Sequence, residues 1–217
     1  SLMGKAFTRG NVDALFDIET YSLYVMDTFE LTENFNVFAG LRVDSYDYSN
    51  QTSSDLYEFS DELYNGHLGL VYDVTENGNI YASYSTATNI NGGESDLGAN
   101  CGYGGICGTP EQASQADPEQ VENIELGTKW SLFNEKLVAN AALFRITKSD
   151  VHESVGDAYS TLGTLNTGEN RVEGIEFGLS GDITDKLSIQ ASAAFMDSEV
   201  LKSYSEDNLG LALSNFA

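Results

Sequence analysis

The chain is 217 residues long and carries 34 acidic against 10 basic side chains, a formal net charge of −24 at pH 7. That balance excludes free nucleic acid as a partner, since a polyanion is repelled by most of such a surface. With 41% hydrophobic residues, 11 Phe and 12 Tyr, the sequence is too apolar and aromatic for a disordered acidic tail, and too long for a small disulfide-held scaffold. One large all-β unit is expected.

Taken from the start, Ser1 and Leu2 precede Met3, and Ser-Leu-Met-Gly-Lys lacks the basic-then-apolar order of a secretory signal, so these residues read as an added remnant. No stretch anywhere approaches the roughly 20 apolar residues that a membrane-crossing helix needs. Alternation of apolar and polar residues dominates instead, the period of a strand with one greasy and one wet face. Phe35, Val37, Ala39, Leu41 and Val43 share a face opposite Asn36, Gly40, Arg42 and Asp44. Ile124, Leu126, Trp130 and Leu132 oppose Asn123, Glu125, Lys129 and Ser131. Ile175, Phe177, Leu179 and Ile183 oppose Gly174, Glu176, Ser180 and Asp182, and Leu187, Ile189, Ala191, Ala193 and Phe195 oppose Ser188, Gln190 and Ser192. Residues 21 to 31 and 137 to 147 alternate less cleanly.

The connections alternate too. Short polar turns are predicted at Glu33-Asn34, at Glu76 to Asn79, at Asn134 to Lys136 and at Asp185-Lys186. Long polar loops are predicted at about 49 to 62, 88 to 119, 149 to 171 and from 200 onward. Short turns on one rim and long loops on the other, joined by strands of about 10 to 14 residues, define an antiparallel up-and-down transmembrane β-barrel segment of about eight strands, with short periplasmic turns and long extracellular loops. Lipid cannot satisfy backbone polar groups, so such strands must close their hydrogen bonds among themselves. A soluble sandwich or barrel shows the same alternation with its apolar face turned to a core. Strand length and loop asymmetry favour the membrane.

Cys101 and Cys107 bracket CGYGGIC, whose glycines let the chain bend enough to bring two sulfurs together. A local disulfide is expected, and with it an oxidising compartment. No CxxC spacing or nearby histidine supports a thiol metal site.

Three segments resemble the TonB-dependent outer-membrane receptors, and within them the siderophore receptors. NVFAGLRVDSYDY is similar to the family's Gly-x-Arg-x-Asp strand, here Gly40, Arg42 and Asp44. QVENIELGTKWSLFNEKLVANAALFRITKSDV resembles its hairpin with a Glu-x-Gly-x-Lys strand, here Glu125, Gly127 and Lys129. NRVEGIEFGLSGDITDKLSIQASAAFMDSEV resembles the Arg-Val-x-Gly-x-Glu strand, here Arg171, Val172, Gly174 and Glu176, with its following hairpin. The resemblance implies a parent barrel of about 22 strands occluded by a plug. Residues 1–217 are then expected to be a middle part of that barrel domain, without plug, TonB box or C-terminal strands. It also implies residence in the outer membrane of a Gram-negative bacterium, import of a ferric siderophore with TonB coupled through the plug, and contact with the lipid bilayer. Cobalamin or carbohydrate import, or a structural or adhesive barrel, are the alternatives.

In this family ligands are met by aromatic and polar side chains of the loops and upper lumen. The contributors expected here are Arg42, Tyr46, Tyr48, Tyr81, Tyr84, Tyr103 and Tyr159; tyrosines near strand ends also build the aromatic girdle of any outer-membrane barrel. The acidity of the loops is at odds with attracting an anionic iron chelate, and points to a salty habitat or another cargo. No enzyme is expected, because His67 and His152 stand apart in no catalytic pattern. Acidic groups such as Asp55, Glu58, Asp61 and Glu62, or Glu111, Asp117, Glu119 and Glu122, lack the spacing of a calcium loop and read as solvated charge. GYGG and NGG lack the helix and Lys-Ser/Thr of a phosphate cradle. Neither cofactor nor metal is expected.

Thiol titration tests the cysteines: no free thiol before reduction and two per chain after it are expected, and two free thiols in the unreduced protein would refute the bridge.

Overall fold

A computed structural model describes residues 14–52, 56–89, 117–154, 164–184 and 186–213. Eight strands follow one another: β1 (Ala14–Thr32), β2 (Phe35–Thr52), β3 (Leu56–Thr75), β4 (Gly78–Asn89), β5 (Glu119–Leu132), β6 (Leu137–Ser154), β7 (Thr164–Thr184) and β8 (Leu187–Lys202). Each pairs antiparallel with its neighbours in sequence, giving one eight-stranded sheet in the order β1 to β8. The only helical piece among the described residues is a 3-10 turn at Glu206–Asn208.

The four short turns stand where the sequence places them. Three are entered through a threonine whose hydroxyl accepts from the N–H two residues on: Thr32 from Asn34, Thr75 from Asn77 and Thr184 from Lys186, at 3.3 to 3.4 Å. The turns are also tied sideways. The carbonyls of Asn34, Asn77 and Lys136 accept from the N–H groups of Asp73, Ser131 and Asp182 in the next strand along, at 2.7 to 2.8 Å. This rim of the sheet leaves few backbone groups unpaired, as a boundary with lipid requires.

The opposite rim differs from expectation. Strands run from 12 to 21 residues, most of them longer than predicted, and absorb much of two predicted loops. Residues 49–52 and 56–62 are paired strand, as are 149–154 and 164–171. After β8 the chain turns back within residues 203–209, and Gly210 and Leu211 exchange hydrogen bonds of 2.9 Å with Val200 along the outer edge of β8. Of the long loop predicted at about 88 to 119, residues 90–116 lie outside the described residues. The misreading has a physical cause. Beyond the lipid both faces of a strand are wet, so a paired extension carries the polar composition of a loop.

The faces follow the alternation. Register carries Val43, Ala39 and Val37 of β2 across to Tyr64, Leu68 and Leu70 of β3, and further to Ile124 and Leu126 of β5, Ile175 and Phe177 of β7, and Phe195 of β8. From turn to last apolar position, Phe35 to Val43, Leu132 to Ile124 and Leu187 to Phe195 each span nine residues. A tilted strand needs about 9 to 11 to cross hydrocarbon. Only five apolar side chains among the described residues are buried, while Leu41 is 68%, Leu126 55% and Phe195 66% exposed. A soluble sandwich would have used these residues as its core. β1 breaks the pattern at Asp27, opposite Ala39 within the apolar band, and β6 carries Phe144 on its polar face; hence their less clean alternation.

In the membrane-embedded parent, Leu126→Arg and Phe177→Arg are expected to cost about 2–4 kcal/mol each, and Gln190→Arg on the polar face less than about 0.5 kcal/mol. Urea unfolding from lipid vesicles measures this; equal costs on both faces would reverse the assignment.

Candidate functional site

The polar face is built on cross-strand pairs. Residues two apart on a strand share a face, so Gly40, Arg42, Asp44, Tyr46 and Tyr48 form one column of β2. Asp44 lies opposite Ser22 of β1. The Arg42 guanidinium forks onto the Asp44 carboxylate, through Nε at 2.8 Å and Nη2 at 2.7 Å, and Nη2 also donates to Ser22 Oγ at 3.1 Å. Ser22 Oγ in turn donates to Asp44. The carboxylate is nearly buried and the guanidinium half exposed, so the group offered on the polar face is the arginine's. One step down, the His67 ring lies over Gly40, leaving no room for a Cβ there.

The Glu-x-Gly-x-Lys strand has the same design. Tyr81 of β4 lies opposite Gly127, its ring covering the glycine, and its hydroxyl donates to Glu125 Oε1 at 2.5 Å. Any side chain at 127 would displace that ring. Lys148 pairs with Glu119 at 2.7 Å across β5 and β6. Asn123 Oδ1 is the buried side-chain oxygen that lacks a donor among the described residues. The wall is thus polar, hydrogen-bonded and preorganised, with donors and acceptors already oriented by their neighbours.

The predicted ligand residues separate. Arg42 and Tyr81 stand on the polar face. Tyr46 and Tyr48 point to that side but are 1% and 8% exposed, packed with Leu63 and Ile18 into the hydrophobic cluster of the chain's upper part. Tyr84 is on the apolar face, 40% exposed, and donates to Glu122 Oε1 at 2.7 Å. An odd spacing from Tyr81 puts it there. Tyr103, Tyr159, Cys101 and Cys107 lie outside the described residues, as do Asp55 and Glu111 and the side chain of His152. His67 is exposed on the polar face, over Gly40. No three His, Cys, Asp or Glu side chains converge as a metal site among the described residues. Ser22 and the Tyr81 to Glu125 bond were not anticipated; pairing the alternating faces of adjacent strands would have found the second.

The sheet and its motifs have known counterparts. The sequence profile of the family described as "TonB dependent receptor-like, beta-barrel" matches residues 4–215, and the chain belongs to that family. Its setting is therefore the outer membrane of a Gram-negative bacterium, which the apolar band crosses. The chain is 32% identical over 199 residues to a probable TonB-dependent siderophore receptor, PiuA, of Acinetobacter baumannii, covering 85% of this chain and 24% of that protein. It is 29% identical over 205 residues to the catecholate siderophore receptor Fiu of Escherichia coli K12, covering 82% and 25%. The crystal structure of PiuA superposes with a TM-score of 0.72 at 29% identity, over 93% of this chain and 28% of the other. The closed form of Fiu gives 0.73 at 24% identity, over 91% and 30%. The chain spans about a quarter of the length of these relatives.

Arg42→Ala leaves a nearly buried carboxylate with Ser22 alone. It is expected to cost about 1–2 kcal/mol, at the low end because the guanidinium is half exposed, and Asp44→Asn in the same chain should recover part of the loss. Additive losses in urea unfolding would show that the fork is energetically idle.

Proposed function

We propose that the protein of which this chain is a part imports a ferric siderophore across the outer membrane, with energy delivered by TonB through a plug inside the barrel. The observation that carries this is the 32% identity to PiuA, a probable siderophore receptor, over most of the chain. The chain's own role is to supply eight strands of wall: an apolar face for the bilayer and a rigid polar face for plug and cargo. No covalent chemistry is assigned to it. Of the residues named for ligand contact, Arg42 and Tyr81 suit the role, since a half-exposed guanidinium and an oriented phenol can meet a chelate's oxygen atoms. Tyr46 and Tyr48 support the wall, and Tyr84 belongs to the interfacial girdle. Tyr103 and Tyr159 complete the set from the loops, and a Cys101 to Cys107 bridge would stiffen the loop between β4 and β5.

The net charge of −24 favours a second reading, in which the cargo is neutral, cobalamin or a carbohydrate, because an acidic surface repels an anionic chelate.

The full-length receptor, titrated in outer membranes with iron-loaded and iron-free siderophores while intrinsic fluorescence is followed, should bind one ferric chelate saturably, and Arg42→Gln should weaken it about tenfold. Saturable binding of cobalamin or an oligosaccharide, with none across the siderophore panel, would move the function to the second reading.

A further inference from the structure

The cations of this chain are matched by its own carboxylates. Between Arg42 and Lys129, and again between Lys148 and Arg171, the sequence holds no lysine or arginine, although Asp and Glu are frequent in both stretches. Toward the rim opposite the short turns, Arg42 is paired with Asp44, Arg145 with Glu173, Lys148 with Glu119, Arg171 with Glu199 and Lys202 with Glu169. An anion approaching this part of the wall meets a surface that is balanced or negative.

The same rim holds a cavity of about 330 Å³ at the ends of β6, β7 and β8. Val151, Val200 and Leu213 line it with hydrocarbon, and Glu153, Asn170, Ser203 and Asn208 with polar groups; among the described residues no cation lines it. It lies on the polar face, because Gly168 and Asn170 share a side of β7 with Gly174 and Glu176 at a spacing of two. Val151 and Glu153 crowd over Gly168, and Val200 stands opposite Asn170. Glu153 builds one wall. Its carboxylate accepts from Thr167 Oγ1 at 2.7 Å, from Ser203 Oγ at 2.6 Å and from the Tyr204 N–H at 2.8 Å, which ties the turn after β8 to β6 and β7. Asn208 Nδ2 donates to Ser203 Oγ at 3.0 Å, so the turn is braced from within as well.

We propose that the cargo is a ferric chelate without net charge, of the trihydroxamate kind, and that this cavity seats an aliphatic arm of it bearing amide or hydroxyl groups, with Glu153 as the positioning residue that holds Ser203 and Asn208 in place. The inference rests on the import reading above and names the class of chelate within it. Three monoanionic hydroxamates neutralise a ferric ion, whereas three dianionic catecholates leave a trianion, which a wall of paired cations and surplus carboxylates does not attract. Val151, Val200 and Leu213 receive the methylenes of the arm, while Asn170, Ser203 and Asn208 answer its polar groups, so that neither is buried without a partner.

The test uses the full-length receptor in lipid vesicles, titrated with a neutral ferric trihydroxamate and with a trianionic ferric triscatecholate, and the bound iron is counted. Wild type should bind the trihydroxamate about tenfold more tightly or better. Val200→Trp, which fills the cavity, and Glu153→Ala, which frees the turn, should each weaken the trihydroxamate about tenfold. Glu153→Gln, which keeps an acceptor of the same length, should recover most of that loss, and Glu122→Gln on the apolar face should change nothing. Equal or tighter binding of the triscatecholate by wild type would overturn the class of chelate and leave siderophore import standing; binding of neither would overturn both. Wild-type affinity for the trihydroxamate in Val200→Trp would overturn the seat, and in Glu153→Ala the role of Glu153. Should Val200→Trp fail to assemble, Asn170→Leu in the same lining decides.

Discussion

Inside a bilayer every backbone N–H and C=O must find its partner within the protein, because hydrocarbon offers none. The rest of this structure is arranged around that requirement. Each strand pairs with its neighbours in sequence, and Asn34, Asn77 and Lys136 in the short turns each pass a carbonyl to the next strand along. With the backbone closed in this way, side chains on one face can be given to lipid without a hydrophobic core behind them. That is why so few apolar residues are buried in a chain with so many of them.

Cross-strand pairing also explains the motifs. In Gly-x-Arg-x-Asp, the arginine and aspartate fork because they share a face at a spacing of two, and the glycine two steps below leaves room for His67. In Glu-x-Gly-x-Lys, Tyr81 lies across Gly127 and reaches Glu125. The same geometry on the other face links Arg145, Glu173, Arg171 and Glu199 into a row of charge at the membrane's edge. One register therefore serves two solvents, with polar columns on one face and a band of hydrocarbon bounded by ion pairs on the other.

Much of the fold was legible because strand alternation and turn chemistry are local. The apolar faces of β2, β5, β7 and β8 and all four short turns stand where the sequence puts them. A further signal went unread: Thr-Glu-Asn at 32 to 34 and 75 to 77, and Thr-Asp-Lys at 184 to 186, each with a threonine accepting from the turn. The segments 49 to 62 and 149 to 171 have the composition of loops, and a polar composition does not distinguish a loop from a paired strand standing in water; beyond Lys202 the chain does leave the sheet. The placement of Tyr84 was also within reach, since three residues from Tyr81 can only mean the opposite face.

What the sequence by itself determined is the alternation, the turns and the family motifs, since each depends on residues close together in the chain. The tertiary structure alone decided how far the ladders run beyond the lipid, and that Tyr46 and Tyr48 are packed away against Leu63 and Ile18 while Arg42 remains half exposed. It also decided that Arg145 meets Glu173 across 28 residues of chain. Such contacts depend on the register between strands. A shift of one residue would have turned every one of them to the other face.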